Sequence, residues 1–293
     1  MTVFKGSGVA IITPFNENGI DFPKFKELIE WQIAEGTDAI IVCGTTGEAT
    51  TMSESERKDA IQFVINTVNR RIPVIAGTGS NNTAASIEMS KFAESVGVDG
   101  LLVITPYYNK TSQKGLYAHF SAINDAINIP IMLYNVPSRT GMNITPLMLD
   151  KLADLNNVVA IKEASGDLSQ VAKMAELCGD RIAIYSGNDD QIVPILSLGG
   201  AGVVSVLANI LPEETHNICE KYFLGEVIES RNLQLKYLSL ANSLFIETNP
   251  IPVKTAMNLM NFNCGPLRLP LCEMEDSNLV ILEENLKANG LIK

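Results

Sequence analysis

Lys162 stands directly after Val158-Val159-Ala160-Ile161, so its amine is expected at the end of a buried strand. Burial disfavours an ammonium, and a fold keeps such a group where it has a partner or a use. The use is a neutral amine nucleophile that forms a Schiff base with a carbonyl substrate. The structural alternative is an ion pair from Lys162 to Glu163 or to a neighbouring loop. Gly44-Thr45-Thr46-Gly47 is small and hydroxyl-rich, and it follows another apolar run. Its N–H groups could cradle an anion and its hydroxyls could pass a proton. It lacks the Lys-Ser/Thr ending of a P-loop, which disfavours nucleotide phosphate. A plain strand-to-helix turn explains it equally well. Tyr134, ending a third run, offers a phenol for acid–base work or a ring for packing. Arg139 offers a fork for a carboxylate, or is a surface loop arginine. Gly77-Thr78-Gly79-Ser80-Asn81-Asn82 starts like a dinucleotide fingerprint but lacks the third glycine, so it reads as a turn. Asn188-Asp189-Asp190 reads as a helix start rather than a cation site.

These residues need a scaffold that gathers distant positions at one face. Eight short apolar runs recur, beginning near Val9, Ala39, Ile72, Leu101, Ile129, Val158, Ile182 and Val203, spaced 21 to 33 residues apart. They do not alternate with polar residues, as expected of a parallel sheet covered on both faces. Helical patterns fill the intervals. Phe22, Phe25, Leu28, Ile29 and Ile33 share one face, and Leu168, Val171 and Met174 keep helical spacing. Ser53 with Glu56 makes a capping box, and Thr145-Pro146 an N-cap followed by proline at the first helical position. Gly36-Thr37-Asp38-Ala39 echoes Gly97-Val98-Asp99-Gly100, the mark of a repeated βα unit. Eight units predict a closed (β/α)8 TIM barrel over residues 1–224. The chemistry-bearing residues would then ring the C-terminal mouth. Residues 225–293 are helix-patterned and predict an added C-terminal helical bundle.

A length of 293 residues suits one barrel plus an extension. Apolar residues make up 46% of the chain, enough for a large core and against disorder. A net charge of −11 without a run of Lys or Arg argues against nucleic-acid or membrane partners. No apolar run is long enough to span a bilayer, and the N-terminus lacks a signal-peptide pattern. The five cysteines are widely spaced with no CxxC, which points to free thiols in a reducing cytoplasm. The two histidines, His119 and His216, are far apart and read as structural or surface residues, leaving no candidate metal site.

GTTGE at 44–48, TPYYNK at 105–110, YNVPSRTG at 134–141, IKEASGD at 161–167 and ETNPIPVK at 247–254 occur together and in order. With them the chain resembles the pyruvate-dependent class I aldolase family, which holds dihydrodipicolinate synthases and N-acetylneuraminate lyases. The resemblance runs from Gly6 to Leu271. It implies that Lys162 attacks C2 of pyruvate and that Thr45 and Thr46 hold the pyruvate carboxylate. Tyr134 would shuttle protons, and Gly187 and Val204 would line the pyruvate pocket. A tyrosine matching Tyr108 would enter the neighbouring subunit's site and complete a Tyr134–Thr46–Tyr108 relay. That implies a homo-oligomer, a tetramer built as a dimer of dimers. No metal or redox cofactor is implied.

Within the family the acceptor aldehyde is the distinguishing choice. The lyases usually read Ser-Thr where this chain has Thr45-Thr46, and Arg139 in VPSRTG favours a substrate carboxylate. Both point to L-aspartate 4-semialdehyde, with a sugar-acid aldol such as N-acetylneuraminate cleavage as the alternative. Members inhibited by lysine tend to carry His where this chain has Glu54 and Glu where it has Ala85, while Asn81 and Tyr107 match. Weak or absent feedback by lysine is therefore expected.

Overall fold

A computed structural model describes residues 2–293. The strands are β1 (Gly6–Ala10), β2 (Phe15–Asn16), β3 (Gly19–Ile20), β4 (Ala39–Val42), β5 (Val74–Gly77), β6 (Gly100–Ile104), β7 (Ile131–Asn135), β8 (Val158–Glu163), β9 (Ala183–Ser186) and β10 (Gly202–Ser205). Eight of them, β1 and β4 to β10, pair in parallel in chain order and close when β10 meets β1, with Gly6 opposite Gly202. The predicted (β/α)8 barrel is present. The β2–β3 hairpin lies outside the eight-run pattern. It is too short to show periodicity, and Asn18-Gly19 at its turn is its one sequence signal.

The helices are α1 (Phe22–Ala34), α2 (Glu54–Val68), α3 (Thr83–Val96), α4 (Gln113–Asn124), α5 (Pro137–Thr140), α6 (Pro146–Leu152), α7 (Leu168–Cys178), α8 (Ile192–Ser197), α9 (Pro212–Phe223), α10 (Val227–Ser243), α11 (Ile251–Leu259) and α12 (Asp276–Ala288). Their starts obey local chemistry. The Glu56 N–H donates to Ser53 Oγ at 3.2 Å, and the Ser53 N–H returns a bond to Glu56 Oε2 at 2.9 Å. Thr145 Oγ1 accepts from the Met148 N–H at 3.2 Å ahead of α6. After the barrel, α10 packs on α9, and α12 packs on α10 and α11. Among the described residues no helix is long and apolar enough to cross a membrane.

Strand alternation divides the core in two. Ile41, Ile75, Leu102, Met132, Ala160 and Val204 pack with Tyr134 and Tyr185 inside the barrel. Ile40, Val42, Val103, Leu133, Ile161 and Ile184 face the helix layer. Each such fully buried aliphatic side chain contributes roughly 1.5–3 kcal/mol. Between β7 and β8 the pairing slips by one. Ile131 lies opposite Val158 and Met132 opposite Ala160, so Val159 is an extra residue on β8. The two histidines have structural partners. His119 Nδ1 lies 2.9 Å from Thr83 Oγ1, and His216 Nδ1 lies 2.8 Å from Asp38 Oδ2.

Candidate active site

Lys162 is the penultimate residue of β8, with its side chain directed into the barrel and 5% exposed. Its register partner on β7 is Tyr134, and Lys162 Nζ sits 4.5 Å from the Tyr134 ring centroid. The next residue, Glu163, takes the opposite face. Its carboxylate accepts from Asn135 Nδ2 and the Ser165 N–H, at 2.8 Å and 2.7 Å. Burial raises the Glu163 pKa, against those hydrogen bonds. The expected alternative, a Lys162–Glu163 ion pair, is therefore not formed.

β9 and β10 frame the lysine. A Cβ on Gly187 would stand 3.1 Å from Lys162 Cε and 2.6 Å from Ala164 Cβ, so glycine here leaves room for the lysine chain. Val204 sits among the inward side chains with Tyr134. Asp189 opens a short 3-10 turn, as its sequence suggested, but its carboxylate does not cap that turn. It is buried and accepts from Ser205 Oγ at 2.5 Å, the Val206 N–H at 3.0 Å and the Leu207 N–H at 2.9 Å. Burial raises its pKa, while those donors and the charge of Lys162 oppose the rise.

The turn after β4 carries the two threonines. Cys43 and Glu48 both adopt left-handed backbone, with φ of 56° and 54°. A Cβ on Gly47 would come within 3.1 Å of the Ile11 carbonyl, so the loop lies directly on the β1 end. Thr46 is buried and Thr45 half-buried. Thr46 Oγ1 accepts from Asn249 Nδ2 at 3.0 Å. Glu48 is buried, and Lys254 Nζ on α11 reaches its Oε1 at 2.7 Å and the Thr13 carbonyl at 2.9 Å. The Arg268 N–H supplies the other carboxylate oxygen at 3.0 Å. Burial lowers the Lys254 pKa, and the Glu48 charge opposes the change.

Arg139, on α5 after β7, is exposed and donates from Nη2 to the Asn249 carbonyl at 3.3 Å. Tyr108 adopts φ 68° and is 92% exposed, so it joins none of these groups within its own chain. A cavity of about 400 Å³ opens beside Thr45 and Tyr134 and continues past Arg57, Gly79 and Tyr107. Lys162 and Arg139 do not line it, so it adjoins the lysine rather than containing it.

Asn249 and the Glu48–Lys254 pair are buried beside the threonine turn, and the sequence reading did not single them out. Their signals were a lysine inside the apolar stretch Ile251–Met257 and the ETNPIPVK motif itself. Among the described residues no group of three His, Cys, Asp or Glu side chains is placed to hold a metal ion.

The fold and site define an α/β barrel with a buried lysine amine and a phenol at its mouth, bordered by threonine hydroxyls. The sequence model of the dihydrodipicolinate synthetase family matches residues 3–289. The chain belongs to that family. It is 85% identical to a 4-hydroxy-tetrahydrodipicolinate synthase of Clostridium perfringens (strain 13 / Type A), over 99% of this chain and 100% of the relative. The dihydrodipicolinate synthase structure from Thermotoga maritima superposes with a TM-score of 0.96 at 41% identity, covering 99% of this chain and 100% of that one. A monomeric dihydrodipicolinate synthase variant also superposes with a TM-score of 0.96 at 41% identity, covering 99% of this chain and 98% of that one.

Proposed function

We propose that the chain catalyses the reaction for which these relatives are named, forming 4-hydroxy-tetrahydrodipicolinate from pyruvate and L-aspartate 4-semialdehyde. This is the first committed step of diaminopimelate and lysine biosynthesis, and we place it in the cytoplasm. The observation that carries the reading is the pairing of Lys162 with Tyr134 at the ends of adjacent strands, with no carboxylate taken up by the lysine.

Lys162 Nζ attacks C2 of pyruvate, and loss of water from the carbinolamine leaves an imine. Tyr134 carries the protons of these steps. Thr45 and Thr46 hold the pyruvate carboxylate, and Gly187 and Val204 shape the pocket around its methyl group. Loss of a methyl proton gives an enamine, with the imine nitrogen as electron sink. Its carbon attacks the aldehyde of the second substrate, whose carboxylate Arg139 binds. The substrate amine then attacks the imine carbon, closes the ring and releases Lys162.

The exposed, left-handed Tyr108 fits a role outside its own chain. In a homotetramer arranged as a dimer of dimers, Tyr108 of the partner subunit completes the relay through Thr46 to Tyr134. Purified protein given both substrates, with the following reductase and NADPH as readout, should turn over, and Lys162→Ala should not. Borohydride should trap a pyruvate adduct on the wild-type chain only. No turnover from folded wild-type protein would reject this assignment in favour of a sugar-acid aldol.

A further inference from the structure

Asn249 lies in the C-terminal extension, yet it touches two parts of the barrel mouth. It is 5% exposed. Its Nδ2 donates to Thr46 Oγ1 at 3.0 Å, and its main-chain carbonyl accepts from Arg139 at 3.3 Å. Its Oδ1 is buried and has no partner among the described residues. A threonine hydroxyl has a single proton. While Thr46 Oγ1 accepts from Asn249, that proton must point elsewhere, and among the described residues the hydroxyl has no other hydrogen-bond partner.

We propose that Asn249 is a positioning residue that sets the direction of the Thr46 hydroxyl proton. By donating to Thr46 it turns the hydroxyl into a donor toward the barrel mouth, where Tyr134 and Lys162 stand. The same residue, through its carbonyl, holds the guanidinium of Arg139. The extension thereby orders the relay and the carboxylate site with one residue. This rests on the relay described above, in which Thr46 hands a proton on.

Asn249→Asp keeps the shape of the side chain and reverses its role, since a carboxylate accepts from Thr46. A purely structural Asn249 would tolerate this isostere better than alanine. The expected result is the opposite order. Asn249→Asp should lower kcat by about 100-fold or more and Asn249→Ala by roughly 10-fold, each with pyruvate KM little changed and the pyruvate adduct still trapped by borohydride. In a Thr46→Val background neither change should cost anything further, because the two residues act as one unit. An Asn249→Asp variant no slower than Asn249→Ala would overturn the proposal. So would losses that persist undiminished beside Thr46→Val. If Asn249→Asp does not fold, by circular dichroism, the Asn249→Ala and Thr46→Val cycle decides in the same way. Failure of wild-type protein to trap pyruvate would instead strike the reaction assignment.

Discussion

Lys254 and Glu48 form an ion pair of 2.7 Å whose side chains are 1% and 0% exposed, joining α11 to the threonine turn across 206 residues of chain. A pair so placed is costly to desolvate, and its value lies in what it fixes. It anchors the residue two positions after Thr46. Lys254→Met should leave Glu48 charged and buried, lowering unfolding free energy by about 3–5 kcal/mol in denaturant titration. The double variant Lys254→Met/Glu48→Gln should recover much of that loss. Equal stability of the single and double variants would show that the charges are not coupled.

Gly187 tests the space around the lysine. Its added Cβ would press on Ala164 and on Lys162 Cε. Gly187→Ala should cost roughly 1–3 kcal/mol of stability and sharply slow formation of the trapped pyruvate adduct. Mass spectrometry of borohydride-treated protein follows that rate. An unchanged rate would mean that the lysine chain does not need this gap.

His216 predicts a pH effect far from the site. Its pKa is raised, first by the hydrogen bond its Nδ1–H donates to the Asp38 carboxylate, with burial acting against it and the Asp38 charge adding to it. A raised folded-state pKa gives stability that is complete below the unfolded histidine value, about 6.5, and is lost as pH rises through the folded value. His216→Gln should therefore cost more stability at pH 6 than at pH 9. A difference in Tm between variant and wild type that is the same at both pH values would contradict this.

Lysine should inhibit turnover weakly or not at all. Ala85 offers no carboxylate to a lysine amine, and exposed Glu54 is occupied by Lys58 at 2.5 Å. Arg57 also lines the cavity beside Tyr107 and donates to the Gly77 carbonyl at 2.9 Å. Its positive charge repels an ammonium ligand. Initial rates across a lysine titration measure this directly, and half-inhibition below one millimolar would overturn it.

The barrel was legible in sequence because each strand is a continuous apolar run bounded by turn residues. Lys162 stood out for the same reason, as a charge at the end of such a run. Thr45, Thr46, Tyr134 and Arg139 could be named as candidates, but their residue types allowed bland readings too. What the sequence could not reveal were pairings between distant positions. Asn249 with Thr46 and Lys254 with Glu48 are each separated by more than 200 residues. No local periodicity reports on such contacts. Asp189 was misleading for a related reason. Its place at a turn start is local, whereas its hydrogen bonds go to the following strand's end.

Val159 has no part in the chemistry, yet it decides which side chain meets Tyr134. Counting on from Ile131 opposite Val158 with Val159 paired to Met132, Tyr134 would face Ile161; with Val159 left unpaired, Tyr134 faces Lys162. The amine and the phenol are thus brought into phase by a frame of one residue, set three positions upstream. Were Val159 drawn into the ladder opposite Met132, every reactive group would remain in the chain, yet the phenol would look onto an aliphatic side chain instead of the amine.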